Sequence, residues 1–149
     1  MKIHYYNRSK LDKNLEKDAI YHESLKSLLT VSDFFSINCP ATKETKNIIN
    51  EETIKYFPEG AVISNSARGD MIDDNAMVKA LKTGKIFSLG IDVYNNEPDI
   101  HPEYLTLPNV FVLPHLGSST IKTRTAMANL AISNIEEFFK SGKCRNKVN

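Results

Sequence analysis

Gly60–Gly69, with the sequence GAVISNSARG, is a short apolar strand signal that runs directly into a polar loop. Asp73 then provides an N-cap for a helix whose apolar positions 76, 77, 80 and 81 recur at helical spacing, and Gly84 ends it. This stretch therefore predicts one strand–loop–helix unit, with its loop at the carboxyl end of the strand.

The same alternation extends to both sides of this unit. Strand signals lie at 2–6, 18–22, 33–38, 86–93 and 110–113, and helix signals lie at 24–31, 51–57 and from Ser118 or Ser119 onward. Strands that alternate with helices and consist of short apolar runs predict an α/β fold with a doubly wound parallel sheet. We expect this sheet to form one domain over 1–118, followed by a C-terminal helix and tail over 119–149.

Composition excludes several classes of protein. The chain has 149 residues, is 41% hydrophobic and carries a net charge of +1, so neither nucleic acid nor a membrane is an expected partner. Cys39 and Cys144 form no C-x-x-C motif and no cluster with the histidines, so we expect no metal site. Free cysteines fit a cytoplasmic location.

Chemically useful side chains follow several predicted strands, where the chain leaves the sheet. In open α/β sheets, ligands bind beyond the carboxyl ends of the strands. The cationic Arg68, the carboxylates of Asp92 and Glu97, and His115 would therefore share one rim. Such a set on one rim predicts an active site better than any member does alone.

This set suits the reduction of a 2-keto acid. The guanidinium of Arg68 offers a two-pronged grip on a carboxylate. His115 can protonate the carbonyl oxygen, which gains negative charge as hydride reaches the carbon. Glu97 can hold that imidazole and favour its protonated form.

Each of these residues also has a structural interpretation. Arg68 can form a surface ion pair, and His115 taken alone can be a structural histidine. Asp92 and Glu97 stand in sequences that suit turns. The place of His115 directly after a strand, on the rim that also carries Arg68 and Glu97, favours catalysis.

Four segments carry a family resemblance, and their order and spacing are more specific than any one of them. They are Ser36–Thr45 (SINCPATKET), Gly60–Gly69 with Asp73 after it, Gly90–Pro98 (GIDVYNNEP), and Leu107–Val110 through Pro114–Gly117. Together they resemble the D-isomer-specific 2-hydroxyacid dehydrogenase family, from Lys2 to about Lys140. This resemblance implies an enzyme that transfers hydride between NAD(P)H and a small 2-keto acid.

The resemblance also implies a role for each matched position. It makes Arg68 the substrate-binding arginine, His115 the catalytic histidine, and Glu97 the carboxylate that orients this histidine. It implies that Asp92 meets the nicotinamide carboxamide. The other positions predicted along the cofactor are Cys39, Pro40, Thr45, Ser66, Ala67, Gly117 and His115 itself.

The end of the first strand predicts the cofactor. An NAD-binding fold usually has Asp or Glu after its second strand, on the ribose 2′-hydroxyl. Here Asn7, Arg8 and Ser9 occupy the equivalent position, and a cation with a hydroxyl suits a 2′-phosphate. Tyr5–Ser9 resembles the NADPH-preferring glyoxylate/hydroxypyruvate reductases, so NADP is favoured over NAD, although Arg8 can also be a solvated charge.

The glycines predict an incomplete sheet. They lie at 60, 69, 84, 90, 117 and 142, and no spacing among them gives G-x-G-x-x-G. The resemblance implies that this loop and the first, central strand lie upstream, so the Rossmann-type sheet would lack both. The strands at 2–6 and 34–38 would then expose unpaired edges.

Two hypotheses follow for the whole protein. It is a glyoxylate/hydroxypyruvate reductase-like enzyme, or it is a truncated, non-catalytic remnant or one half of a split enzyme. A homo-oligomer and pairing with a complementary N-terminal fragment both stay open as its mode of assembly.

Overall fold

The computed structural model describes residues 1–148, which form two compact units. The first unit, Met1–Pro114, combines short parallel strands with helices, and the second unit begins at His115. The predicted α/β class is therefore confirmed, and the first unit carries its sheet.

The main sheet has four parallel strands in the order β3-β4-β5-β6. Their bounds are β3 Phe34–Ile37, β4 Ala61–Asn65, β5 Ile86–Ile91 and β6 Val110–Val112. The last residues of the four strands lie side by side, because Ile37 pairs with Asn65, Asn65 with Ile91, and Ile91 with Val112. The loops that leave β3, β4 and β5 therefore all start at the carboxyl end of the sheet.

A second, two-stranded parallel sheet stands apart from the first. It consists of β1, His4–Tyr5, and β2, Ile20–Tyr21, and the short helix α1, Lys13–Glu16, lies between them in the chain. The sequence did not predict α1, which spans a single turn. Within residues 1–148, β1 pairs only with β2, and β3 pairs only with β4. Each of β1 and β3 thus has an edge without a paired strand, as predicted.

Three further helices belong to the first unit: α2 Leu25–Leu29, α3 Glu51–Ile54 and α4 Asp74–Thr83. The predicted caps of α2 and α4 are confirmed. The side chain of Ser24 accepts from the Ser27 N–H, and that of Asp73 accepts from the Ala76 N–H. Gly84 ends α4 with φ +79°, a left-handed conformation that favours glycine.

The second unit contains the long helix α5, Ile121–Ser141. Its N-cap is Thr120, whose side chain accepts from the Thr123 N–H, so the predicted start at Ser118 or Ser119 is wrong by one or two residues. Several hydroxyl residues in succession can each provide a cap, and the sequence does not tell which one does.

The core of the first unit lies between the main sheet and its helices. Ile63 and Leu89 of the two central strands and Met77 of α4 are almost fully inaccessible to solvent. Burial of such side chains is the main stabilising term for this unit. Among the helices that the structure describes, none has both the length and the apolar character that crossing a bilayer requires.

Candidate active site

An open cleft of about 590 Å³ lies where β3 and β4 end. One wall is Asn38–Ala41, the loop that leaves β3, and the other is Ser66–Arg68, the loop that leaves β4. The structure therefore brings five of the predicted site residues into one cleft: Cys39, Pro40, Ser66, Ala67 and Arg68. Arg68 is exposed, and its guanidinium donates to the carbonyl of Ala67 at 2.7 Å.

A buried amide shapes the Arg68 loop. Asn65, the last residue of β4, is only 1% exposed. Its Oδ1 accepts from the Ala67 N–H at 3.0 Å, and its Nδ2 donates to the Arg68 carbonyl at 2.7 Å. Its own carbonyl accepts from the Asp92 N–H at 3.0 Å. The Asn65 side chain thus binds the backbone of both Ala67 and Arg68, and its own carbonyl joins this turn to the end of β5.

Replacing this amide is expected to loosen the loop. In Asn65→Ala, the Ala67 N–H and the Arg68 carbonyl lose their partners, which is expected to lower the free energy of unfolding by about 1–3 kcal/mol. Urea denaturation measures this effect. The exposed Asn75→Ala is the control, and an Asn65 variant that matches it would contradict this role.

Two loops of the site are packed backbone against backbone at Gly69. A Cβ atom added there would lie 2.0 Å from the carbonyl carbon of Tyr94 and 2.4 Å from the nitrogen of Asn95. Only glycine therefore allows this approach without a shift of main chain. The contact holds the turn that carries Arg68 against the segment after β5, which carries Glu97.

The carboxylates that were predicted from the sequence lie in that second segment. Asp92 directly follows β5. Glu97 is exposed, and its Oε1 accepts from the Tyr94 N–H at 3.2 Å. Tyr94 thus takes part both in the contact with Gly69 and in the placement of the Glu97 side chain. Arg68 and Glu97 accordingly stand on two loops that share one main-chain contact.

The loop after β3 is held by its own hydroxyl groups. The Oγ1 of Thr45 donates to the Pro40 carbonyl at 2.9 Å and accepts from the Thr42 N–H at 2.8 Å. Cys39 lies beside the buried Met71, with 3.8 Å between their sulfur atoms. Thr45 therefore shapes the wall of the cleft from inside the loop.

Among residues 1–148, no three His, Cys, Asp or Glu side chains form a metal-ligand group.

The residues predicted to bind a 2′-phosphate follow β1 and are exposed: Asn7, Arg8 and Ser9. The Asn7 Oδ1 accepts from the Arg8 N–H at 2.9 Å. The positive charge of Arg8 also acts on Glu44, in the loop that follows β3. A hydrogen bond from Thr42 lowers the pKa of the exposed Glu44 carboxyl, and the charge of Arg8 contributes in the same direction.

His115 and Gly117 belong to the second unit, and both are exposed. The backbone of His115 has φ +55°, in the left-handed region that residues other than glycine visit seldom. Asparagine, aspartate and histidine tolerate this region better than most residue types. The second unit therefore starts with a turn that suits histidine.

The sequence did not identify two residues that shape the site. Asn65 and Gly69 were noted only as parts of a motif. The sequence did contain a signal for Asn65, because alternate residues of a strand face the same side, and Asn65 shares its side of β4 with the buried Ala61 and Ile63. The backbone contact of Gly69 has no comparable local signal.

The chain belongs to the D-isomer-specific 2-hydroxyacid dehydrogenase family. Residues 1–117 match the NAD-binding domain of that family. This match confirms the resemblance on which the site was predicted.

Relatives of known name agree with this family. Glycerate dehydrogenase from Hyphomicrobium methylovorum is 42% identical over an alignment of 141 residues, and the match covers 93% of this chain and 44% of that protein. A glyoxylate reductase from Paecilomyes thermophila has a crystal structure with a TM-score of 0.89 at 40% identity, covering 99% of this chain and 45% of the other.

A third relative has been solved with its cofactor. The NADPH-dependent glyoxylate/hydroxypyruvate reductase from Sinorhizobium meliloti, in complex with NADP and malonate, has a TM-score of 0.89 at 30% identity. The match covers 97% of this chain and 44% of that protein. The chain thus spans about half the length of the relatives that it matches.

Proposed function

We propose that the protein is a D-2-hydroxyacid dehydrogenase of the glyoxylate/hydroxypyruvate reductase type, with a small 2-keto acid as substrate. The observation that carries the proposal is the cleft where β3 and β4 end, in which Arg68 lies beside four residues assigned to the cofactor. The names of its relatives support the substrate class.

In this proposal, the protein side chains bind the acid and handle its proton. Arg68 binds the substrate carboxylate through two parallel hydrogen bonds. His115 donates a proton to the carbonyl oxygen, which becomes the hydroxyl of the product. Glu97 favours the protonated form of that imidazole and fixes its orientation. The roles of Glu97 and His115 are carried over from the family motifs.

NAD(P) fits the residues of this chain in part. The nicotinamide cofactor, when bound, supplies the hydride. Cys39, Pro40, Ser66 and Ala67 are exposed or half-buried on the walls of the cleft and would line its nicotinamide end. The further assigned positions are Thr45, Asp92, His115 and Gly117, with Asn7, Arg8 and Ser9 at the adenosine ribose.

This sequence contains no glycine loop that could bind the pyrophosphate of the cofactor, so the proposal has a further requirement. The unpaired edges of β1 and β3 favour a strand that is supplied by a segment outside the given sequence. The alternative of a non-catalytic chain rests on the same observation. The cytoplasmic location stays a prediction.

The test is turnover. The protein is mixed with NADPH and glyoxylate or hydroxypyruvate, and the absorbance of the reduced nicotinamide is followed. A loss of absorbance that depends on the keto acid supports the enzyme. No turnover, together with no change of melting temperature on adding NADPH, would support the non-catalytic alternative.

The preference for NADP depends on Arg8. In Arg8→Ala, KM for NADPH is expected to rise by roughly 10-fold or more, because a charge-assisted hydrogen bond contributes about 1.5–3 kcal/mol. KM for NADH is expected to change little. Steady-state kinetics with each cofactor measures the ratio, and Lys13→Ala, in the same segment, controls for loss of positive charge. Equal changes for both cofactors in Arg8→Ala would argue against a 2′-phosphate contact.

A further inference from the structure

A single carboxylate on α4 holds the segment that carries Glu97 at two points. The Oδ2 of Asp74, the first residue of α4, accepts from the Asn95 Nδ2 at 2.8 Å. Its Oδ1 accepts from the Tyr104 hydroxyl at 3.0 Å. The Asn95 Nδ2 also donates to the carbonyl of Ile72 at 3.1 Å. Both oxygens of Asp74 are therefore used by the same segment.

These two points lie on either side of Glu97. Asn95 precedes it by two positions, and Tyr104 follows it within the 3₁₀ turn Pro102–Leu105. Between them the chain from Asn96 to Asp99 is exposed and has no buried side chain. Asn95 and Tyr104 therefore hold the chain at the two ends of this exposed stretch.

The hydrogen bond from Tyr104 to Asp74 is partly shielded from solvent. Its side chain is 2% exposed, and burial, followed by the charge of Asp74, raises the pKa of the phenol. The hydroxyl is therefore protonated near neutral pH and available as a donor. An exposed ion pair, between Lys82 of α4 and Glu103, joins the same two elements, but such pairs contribute little in water.

We propose that Asp74 is a positioning residue for the reaction, which acts by holding the Glu97 segment at Asn95 and Tyr104. The proposal rests on the role of Glu97 in the proposed function. Tyr94, whose N–H places the Glu97 carboxylate, adjoins Asn95 and meets Gly69. Release of Asn95 from Asp74 would therefore reach both the carboxylate and the contact with the Arg68 loop.

Asp74→Asn tests this role with two independent readouts, and Asp99→Asn, an exposed position in the same segment, is the matched control. The first readout is hydrogen exchange followed by mass spectrometry. Asp74→Asn is expected to speed the exchange of 94–105 by about 10-fold, while β4 keeps its rate. Asn95→Ala, which leaves α4 intact, is expected to give a smaller change in the same direction. Equal exchange in Asp74→Asn and Asp99→Asn would overturn the proposal.

The second readout is the dependence of turnover on pH. With Glu97 displaced, kcat is expected to fall by about 10-fold, and the basic limb of the kcat/KM profile is expected to move to lower pH. A purely structural role would lower the yield of folded protein without moving that limb, and an unmoved limb would overturn the proposal. If the parent protein shows no turnover, the proposed function fails, while the placement of the segment is still decided by the exchange rates.

Discussion

His115→Asn is expected to lower kcat for reduction of glyoxylate or hydroxypyruvate by about 10²- to 10⁴-fold, the usual contribution of a general acid. The carbonyl oxygen of the substrate must take up a proton, and an amide cannot supply it. Asparagine is preferred to alanine because the backbone at this position has φ +55°, which asparagine tolerates.

Single-turnover and steady-state kinetics with NADPH measure this effect, and a thermal melt checks that the variant folds. His22→Asn serves as the control, because it removes an imidazole that follows β2 and has no proposed role in the reaction. Near-normal turnover in His115→Asn would remove this residue from the mechanism, and the proton donor would have to be sought elsewhere.

Gly69→Ala is expected to destabilise the protein by about 3 kcal/mol, near the upper end for an overpacked site. The added methyl carbon would lie 2.0 Å from the carbonyl carbon of Tyr94, and the obstacle is main chain that no rotamer change can move aside. Relief requires the Arg68 turn to move away from the Glu97 segment. KM for the keto acid is therefore expected to rise and kcat to fall together.

Gly90→Ala provides the matched control within the same sheet. A Cβ atom at Gly90 of β5 meets nothing within 4 Å, so this variant is expected to be as stable as the parent or slightly more stable. Urea denaturation of both variants, with kinetics under folding conditions, makes the comparison. If the two variants unfolded at the same urea concentration, the close contact at Gly69 could not be important to the fold.

Local pattern was sufficient for much of the fold. The strand at Ala61 was predicted because four consecutive small or apolar residues precede a polar loop, and α4 was predicted from its periodicity, from Asp73 and from Gly84. These signals lie within a few residues of the structure that they specify. Where several neighbours offered the same chemistry, as around the start of α5, pattern did not select the right residue, and Thr120 is the cap.

For the site, local sequence indicated which residue types carry chemistry but not how they are held. Arg68 and Glu97 were predicted from their places after strands. The sequence did not reveal that Asn65 organises the Arg68 turn, nor that Asp74 accepts a hydrogen bond from Tyr104, which lies 30 residues away. Such contacts depend on how β4, β5 and α4 are brought together, and no short window contains both partners.

The sequence by itself determined the α/β class, the family, and the residues proposed to bind and protonate a keto acid, because each is encoded in a short motif or a local period. Only the tertiary structure decided that two loops meet at Gly69 and that the Glu97 segment is tied to α4. It also separated β1 and β2 from the main sheet. The physical reason is that strand pairing, close approach of main chain and burial of polar groups are set by partners far apart in the chain.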